Sequence, residues 1–256
     1  CDLDTADITV AYTGDGKAIA NDSFKTKAEQ GDSYNMKAYG GAAAEWYEQA
    51  NAFETVVAGK TLSEIKAMVA ENGKGTADVI RAGCTIAVAE FVQAIERAFE
   101  NLSESDATSA SSVKLGFHTE QSLTDAADEK DGKNQIETTV FAAAVADGKI
   151  VAASNDCIQL AFTFDAEGAS TYDLTKAVAS KREAGKSYGM VEYGGATKEW
   201  FEQADAFEAA CAGKTVAEIT ALEADGYGVE DVQKAGCTIG IADYMTALQE
   251  AAAVAK

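Results

Sequence analysis

The sequence contains no proline, a single histidine, and no apolar run of the roughly 20 residues that a membrane-spanning helix needs. The missing apolar run means that we do not expect the chain itself to cross a membrane. The single histidine, His118, excludes a histidine-dependent dyad or triad that occurs more than once along the chain. The absence of proline excludes no class of function.

Positive charge is also scarce, because 21 lysines and arginines face 42 aspartates and glutamates, for a net charge of -21. The negative electrostatic field that results from this charge repels nucleic-acid phosphates and anionic lipid headgroups. We therefore expect no nucleic-acid partner, and membrane contact only through a lipid anchor. The charge is typical of a solvated surface that keeps an abundant protein apart from its neighbours, and we expect a monomer.

The five cysteines lack both the close spacing of a zinc site and the density of a disulfide scaffold, which favours buried thiols. No EF-hand spacing occurs either, so we expect no metal site. Cys1 is the residue that remains when a lipoprotein leader is removed, and the sequence predicts its lipidation. The alternative is that the numbering merely starts there, since residues 2–10 alternate like a strand and not like a flexible tether.

The chain repeats itself with an offset of 154 residues at Trp46/Trp200 and 153 at Thr85/Thr238. We infer a tandem duplication: residues 1–102 form the first repeat, 103–112 a serine-rich linker and 113–256 the second repeat. Residues 113–154 have no counterpart in the first repeat, which is therefore truncated at its N-terminal side. The matching segments are 33–36 with 187–190, 39–42 with 193–196, 45–50 with 199–204, 58–61 with 212–215, and 82–86 with 235–239.

Each repeat is predicted to be α+β, with a short antiparallel β-meander followed by about three helices. Helical spacing places Trp200, Ala204, Phe207 and Cys211 on one apolar face. Gly-Lys-Thr at 59–61 and 213–215 lacks the earlier glycine of a phosphate-binding loop and predicts a helix end and the N-cap of the next helix. The predicted strands are 139–145, 149–153 and 159–164, and the predicted last helices are 86–99 and 239–254.

Thr85 and Thr238 stand where the N-cap of each last helix is predicted. A helix N-terminus offers unpaired N–H groups and the positive end of the helix dipole, which together favour a bound phosphate. Gly83 and Gly236, two residues earlier, would let a ligand approach the backbone closely. The alternative is that each threonine hydroxyl only caps its own helix.

The run Ala-Gly-Cys-Thr-Ile at 82–86, almost unchanged at 235–239, resembles the FMN-binding domain of bacterial extracytoplasmic redox proteins. That family carries an Asp-x-x-Ser-Gly-Ala-Thr motif, whose threonine a flavin transferase esterifies to the phosphate of FMN. The resemblance implies that Thr85 and Thr238 are acceptors, with Gly83, Cys84, Gly236 and Cys237 beside the cofactor. The sequence departs from the motif at Ala82 and Ala235, where the family has serine, and at Cys84 and Cys237, where it has alanine. Asp78 and Asp231 lie one residue further upstream than the aspartate of the family.

The Tyr-Gly-Gly, Glu-Trp-aromatic-Glu-Gln and Gly-Lys-Thr segments resemble tandem-repeat surface lipoproteins of Gram-positive anaerobes, some of which carry flavin in extracellular electron transfer. Tyr39 and Tyr193, in glycine-rich loops, could stack on the flavin ring or simply be loop residues. The tryptophans of the apolar stripe are expected to pack in the core. The adjacent Glu45 and Glu199 are predicted to face the solvent.

Two hypotheses follow. The first is a flavin-carrying electron-transfer lipoprotein at the cell surface, with FMN as cofactor and a redox partner there, acting as a carrier and not as a catalyst. We assign it no catalytic residues of its own. The second is a non-enzymatic surface lipoprotein whose repeats are structural or ligand-binding modules without flavin.

Overall fold

In a computed structural model of the chain, the described residues are 13–18, 20, 24–102, 107–108, 111–127, 129–173, 175 and 178–253. Cys1 and the strand indicated for residues 2–10 lie outside them. Two compact units are present: an N-terminal unit within residues 23–104 and a C-terminal unit formed by residues 1–22 and 105–256. Residues 13–18 and 20, which the repeat assigns to the first copy, belong to the C-terminal unit.

The N-terminal unit is built from short helices around a small apolar core. Thr61 starts one helix, because its hydroxyl accepts the Glu64 N–H while the Glu64 carboxylate accepts the Thr61 N–H. The N-cap predicted in this Gly-Lys-Thr segment is confirmed. The core side chains are Phe53, Ile65, Val79, Cys84, Val88 and Val92. The helices are α1 (Lys27–Gln30), α2 (Trp46–Val57), α3 (Leu62–Lys66), α4 (Ala77–Arg81) and α5 (Ala89–Glu100).

The C-terminal unit contains a three-stranded antiparallel sheet in the order β1-β2-β3. Its strands are β1 (Ser112–Thr124), β2 (Gly132–Ala146) and β3 (Lys149–Phe164). Asp147 and Gly148 join β2 to β3 with φ angles of 50° and 74°, and two consecutive positive values are typical of a type I′ hairpin turn. The mixed α+β class of the chain is therefore confirmed, and so is the antiparallel meander in the C-terminal unit.

The predicted strand boundaries were wrong in three places. β1 was not predicted as a strand, and β2 begins at Gly132 and not at residue 139. β3 is one continuous strand where the sequence indicated two, 149–153 and 159–164. Strand β3 continues through this segment because the backbone of Asn155, in its middle, is hydrogen-bonded by side chains from outside the sheet. Its N–H donates to the Glu208 carboxylate at 2.6 Å, and its carbonyl accepts from Arg182 Nε at 2.6 Å. These contacts satisfy polar groups that burial would otherwise penalise.

The helices of the C-terminal unit cover this sheet. The predicted apolar stripe is confirmed, because Trp200, Ala204, Phe207 and Cys211 are all buried. The last helix packs across β1 and β2 through Tyr244, Met245 and other buried side chains. The elements are α6 (Lys181–Ala184), α7 (Trp200–Cys211), α8 (Val216–Thr220), β4 (Glu223–Ala224), β5 (Tyr227–Gly228), α9 (Glu230–Ala235) and α10 (Ala242–Ala253).

Helix length in the described part of the chain bears on membrane insertion. None of the helices there combines the length and the apolar character that crossing a bilayer requires.

Candidate functional site

Thr85 and Thr238 do not cap the last helix of their units, so this prediction was wrong. α5 begins at Ala89 with Val88 as its N-cap residue, and no side chain caps it. α10 begins at Ala242, four residues after Thr238. Both threonines instead lie in the loop that precedes the helix. Their backbone N–H and hydroxyl groups donate to other side chains and not to the helix.

A buried glutamine holds each threonine. Oε1 of Gln49 accepts from the backbone N of Thr85 at 2.9 Å and from its Oγ1 at 2.8 Å. Oε1 of Gln203 accepts the same two groups of Thr238, both at 2.9 Å. Each glutamine is only 1% exposed. Because a backbone N–H can only donate, the amide oxygen and not the nitrogen must face the threonine.

The other end of each glutamine amide is also fixed. Nε2 of Gln49 donates to the carbonyl of Ala44 at 3.0 Å, and Nε2 of Gln203 donates to the carbonyl of Lys198 at 3.1 Å. A buried side chain that is bound at both ends positions its partner with little freedom. Thr85 and Thr238 are exposed as whole residues, while the hydrogen bonds of their hydroxyls to the glutamines are part-buried. Each hydroxyl uses its hydrogen towards the protein.

The glycines beside the threonines adopt a backbone conformation that other residues rarely enter. Gly83 has a φ angle of 112° and Gly236 of 113°. The two loops differ in charge, because a Cβ added at Gly236 would lie 2.0 Å from Nζ of Lys198. The ammonium group of Lys198 thus lies over the glycine of the Thr238 loop, whereas alanine occupies the corresponding position 44 in the N-terminal unit.

The predicted solvent-facing position of Glu45 and Glu199 was wrong, since they are 5% and 7% exposed. Glu45 Oε2 accepts the N–H of Met36 at 2.8 Å, and Glu199 Oε2 accepts the N–H of Met190 at 3.0 Å. Each carboxylate is buried because it binds the loop that leads to the Tyr-Gly-Gly segment. It thereby anchors that loop to the start of the long helix.

Two loops are thus attached to the same end of one helix. Glu45 and Gln49 are four residues apart, which places their side chains on neighbouring positions of one helix face. Glu45 binds the loop that contains Tyr39 (the tyrosine loop), and Gln49 binds the loop that contains Thr85 (the threonine loop). In the C-terminal unit, Glu199 and Gln203 bind the corresponding loops, which contain Tyr193 and Thr238. The tyrosines of these loops, Tyr39 and Tyr193, are 88% and 81% exposed.

Cys84 and Cys237, which the resemblance places beside the cofactor, have completely buried side chains that belong to the two cores. Only their backbone atoms can face a ligand in the threonine loop. Burial raises the pKa of the Cys84 thiol and raises that of Cys237 to about 11. A thiol so far from ionisation at neutral pH is a poor nucleophile.

We expect Cys84 and Cys237 to resist alkylation by iodoacetamide in the native protein at neutral pH, because they are buried and protonated. Cys157 and Cys211 are buried too, and burial raises the pKa of each to about 12. Peptide mass mapping after a short pulse checks this, with a urea-denatured sample as the control in which all four react. Rapid labelling of Cys237 in the native state would show that this loop opens.

The tryptophans pack inside their units, as expected from the apolar stripe. Trp200 is 3% exposed and meets Tyr244 edge-on at 6.2 Å between ring centroids. Trp46 is half-buried and meets Phe91 edge-on at 5.9 Å. These contacts with the last helix of each unit are typical of core aromatics, and they leave the exposed tyrosines as the aromatic candidates for a ligand.

Sequence reasoning missed the four residues that organise the loops: Glu45, Gln49, Glu199 and Gln203. The available signal was the repetition of Glu-Trp-aromatic-Glu-Gln-Ala at 45–50 and 199–204. Three of the repeated positions, Glu45, Glu48 and Gln49 in the first half, are polar and occur at the start of a helix with an apolar stripe. Polar side chains retained there in both halves indicate buried hydrogen bonds as well as solvent contact.

Comparison with known proteins gives one short similarity. A stretch of 44 residues is 43% identical to the chlorophenol reductase of Desulfitobacterium hafniense. This stretch covers 17% of the present chain and 14% of that protein, so the chain spans far less than the length of the relative that it matches. No family model and no solved structure matches the chain.

Proposed function

We propose that the chain is a tandem duplication of one α+β module and that it carries FMN, attached through phosphate to Thr85 and Thr238, as an extracytoplasmic electron-transfer protein. One observation carries the proposal. In each half, the hydroxyl of an exposed threonine residue is fixed by a buried glutamine close to a glycine of positive φ, and the tyrosine loop is anchored on the same helix. The resemblance to the FMN-binding domain falls on the same two threonines.

The geometry suits attachment by phosphoester formation. The threonine Oγ1 would form a bond to the flavin-side phosphorus of a flavin nucleotide whose phosphate carries an anhydride leaving group. The anhydride P–O bond would break, the leaving phosphate would keep the bonding electrons, and the hydroxyl proton would pass to a base supplied by the flavin transferase. A hydrogen bond from the hydroxyl to Gln49 or Gln203 leaves the oxygen lone pairs for this attack, and fixing the oxygen lowers the entropic cost of reaction.

Exposure of the two loops is compatible with attachment of a flavin from outside each unit. Thr85 and Thr238 are exposed residues, and so are Tyr39 and Tyr193. When bound, FMN supplies reversible electron transfer, and the protein sets its position and surroundings. An exposed attachment point lets a redox partner approach the cofactor, as a carrier requires.

The net charge of -21 opposes an added phosphate, so local charge becomes important. Lys198, over the glycine of the Thr238 loop, offers a counter-charge in the C-terminal unit. In the N-terminal unit the corresponding residue is Ala44. Covalent attachment does not depend on such a counter-charge for retention, which makes it a suitable way for an acidic protein to keep an anionic cofactor.

The short similarity supports a redox role. The matched protein is a chlorophenol reductase, a name that denotes redox chemistry, and the similarity extends over 44 residues. We further propose that the protein works outside the cell, at the cell surface, where it meets its redox partner.

The proposal is tested by producing the protein together with a flavin transferase that recognises this type of motif. We expect yellow protein with flavin absorption in the visible range, and an intact mass increased by one or two FMN groups. Production without the transferase is the control and should give colourless protein. Unmodified mass in the presence of an active transferase, shown to load a positive-control domain, would remove the flavin proposal.

One observation favours the second candidate function, a surface protein whose repeats bind no flavin. The Thr85 and Thr238 hydroxyls already make a hydrogen bond that joins their loop to the long helix. If the test gives colourless protein, the threonine and glutamine pair is a structural tie, and the repeat is a scaffold.

A further inference from the structure

Three side chains with metal-binding atoms meet where α10 lies on β1. His118 and Glu120 are two residues apart on β1, so they point to the same face of the sheet. Asp243, in the first turn of α10, lies opposite them. His118 Nε2 is 3.5 Å from Glu120 Oε1 and 3.8 Å from Asp243 Oδ1. One donor atom from each of the three residues lies within 4.8 Å of the other two.

Negative charge accumulates at this place. Glu120 stands directly opposite Glu137 in the β1–β2 register, and like charges in that position destabilise an antiparallel pair. Glu137 is paired with Lys181, whose ammonium group it contacts. The Glu120 and Asp243 carboxylates both approach His118 Nε2, and a cation held among the three groups would offset the repulsion between the two negative charges.

We propose that His118, Glu120 and Asp243 form a binding site for a divalent transition-metal ion, most suitably Zn²⁺. This site is separate from the two threonine loops, and the proposal does not depend on flavin binding. Zn²⁺ accepts one imidazole nitrogen and two carboxylate oxygens at about 2.0–2.2 Å. Donor atoms at that radius in a tetrahedral shell are about 3.5 Å apart, so the observed separations need only small side-chain movements.

The chemical types of these three ligands favour some metal ions over others. Imidazole suits Zn²⁺ and other late first-row metals, whereas Ca²⁺ and Mg²⁺ prefer shells made entirely of oxygen. The three side chains are 26%, 61% and 32% exposed for His118, Glu120 and Asp243. Water can therefore complete the coordination, which leaves a position for an exchangeable ligand.

A bound ion would also connect the last helix to the sheet. His118 and Glu120 belong to β1 and Asp243 belongs to α10, so one ion bridges elements that are 123 residues apart at their nearest ligands. Binding to the native state alone stabilises it. We therefore expect Zn²⁺ to raise the unfolding temperature of the C-terminal unit as well as to bind.

The experiment is calorimetric titration of the full chain with Zn²⁺, together with absorption spectroscopy of the Co²⁺ form. We expect one ion per chain and Co²⁺ d–d bands in the visible range without thiolate charge transfer. His118→Ala should weaken affinity by at least about tenfold, since loss of a mere hydrogen-bond partner to a ligand already costs about 10–100-fold. Glu250→Gln, the control, removes one charge from an exposed position on the same helix.

Glu120→Gln provides a second variant, because its exposed side chain can change without disturbing the core. Equal Zn²⁺ affinity in the wild type, His118→Ala and Glu120→Gln would overturn the proposal, and so would the absence of Zn²⁺ binding to the folded wild-type chain. In either case the three side chains form an ion-pair cluster only. Trp200 fluorescence of each metal-free variant verifies that the C-terminal unit is folded.

Discussion

Replacing both Thr85 and Thr238 with alanine is expected to abolish flavin attachment completely when the protein is produced with an active flavin transferase. Alanine lacks the oxygen that forms the phosphoester bond, so the intact mass should equal that of the unmodified chain and the protein should be colourless. Thr85→Ala alone should leave one adduct at most. We expect the remaining Thr238 to load more fully than Thr85 does in the reverse variant, because Lys198 lies beside its loop.

Serine variants at the same positions are the matched control, since serine keeps the hydroxyl that donates to Gln49 or Gln203. They should retain at least part of the adduct if a transferase accepts serine. Thr61→Ala and Thr215→Ala, which remove the N-caps of α3 and α8, are a second control that should not alter flavin content. Full adduct mass in the double Thr85/Thr238 alanine variant would show that attachment occurs elsewhere.

Replacing Gly116 with alanine is expected to destabilise the C-terminal unit by about 3 kcal/mol, near the upper end of the usual cost of overpacking. Gly116 lies in the part of β1 that α10 covers. A Cβ there would fall 1.8 Å from the carbonyl oxygen of Ala247 and 2.6 Å from the backbone nitrogen of Ala251. Backbone atoms cannot move aside as a flexible side chain would, so the whole helix must shift.

Urea unfolding followed by tryptophan fluorescence measures this effect. The chain has two tryptophans, one in each unit, so a Trp46→Phe background leaves Trp200 as the reporter of the C-terminal unit. Gly14→Ala is the matched control, because no atom lies within 4 Å of the added methyl group there. A change below about 1 kcal/mol for Gly116→Ala, the lower end of overpacking costs, would mean that α10 does not lie directly on β1.

The positions of the threonine loops also depend on packing between segments that are far apart in the sequence. Gln49 and Thr85 are 36 residues apart, and Gln203 and Thr238 are 35 apart. Their hydrogen bonds form only after the long helix and the last loop of each unit are packed together. We therefore regard the buried glutamine as a positioning residue for the threonine hydroxyl, and the helix cores as the support that fixes the glutamine.

The division of polar residues between surface and core was the main source of error in the sequence analysis. Glu45 and Glu199 were predicted to face the solvent, but each is buried because it accepts a backbone N–H of the tyrosine loop. Asn155 lies in the gap between the predicted strands 149–153 and 159–164, but it belongs to β3, where Arg182 and Glu208 satisfy its backbone. Composition within a short window cannot reveal such partners, since they come from distant parts of the chain.

Local pattern by itself determined the α+β class, the apolar stripe of α7, the Asp147-Gly148 turn and the N-cap at Thr61. These features depend on residues within a few positions of one another, where period, turn chemistry and capping act directly. Only the tertiary structure decided that Thr85 and Thr238 bind glutamines, that β3 is continuous, and that His118 meets Asp243. Those contacts are non-local, and the packing of helices on one another and on the sheet, which no local pattern encodes, brings the partners together.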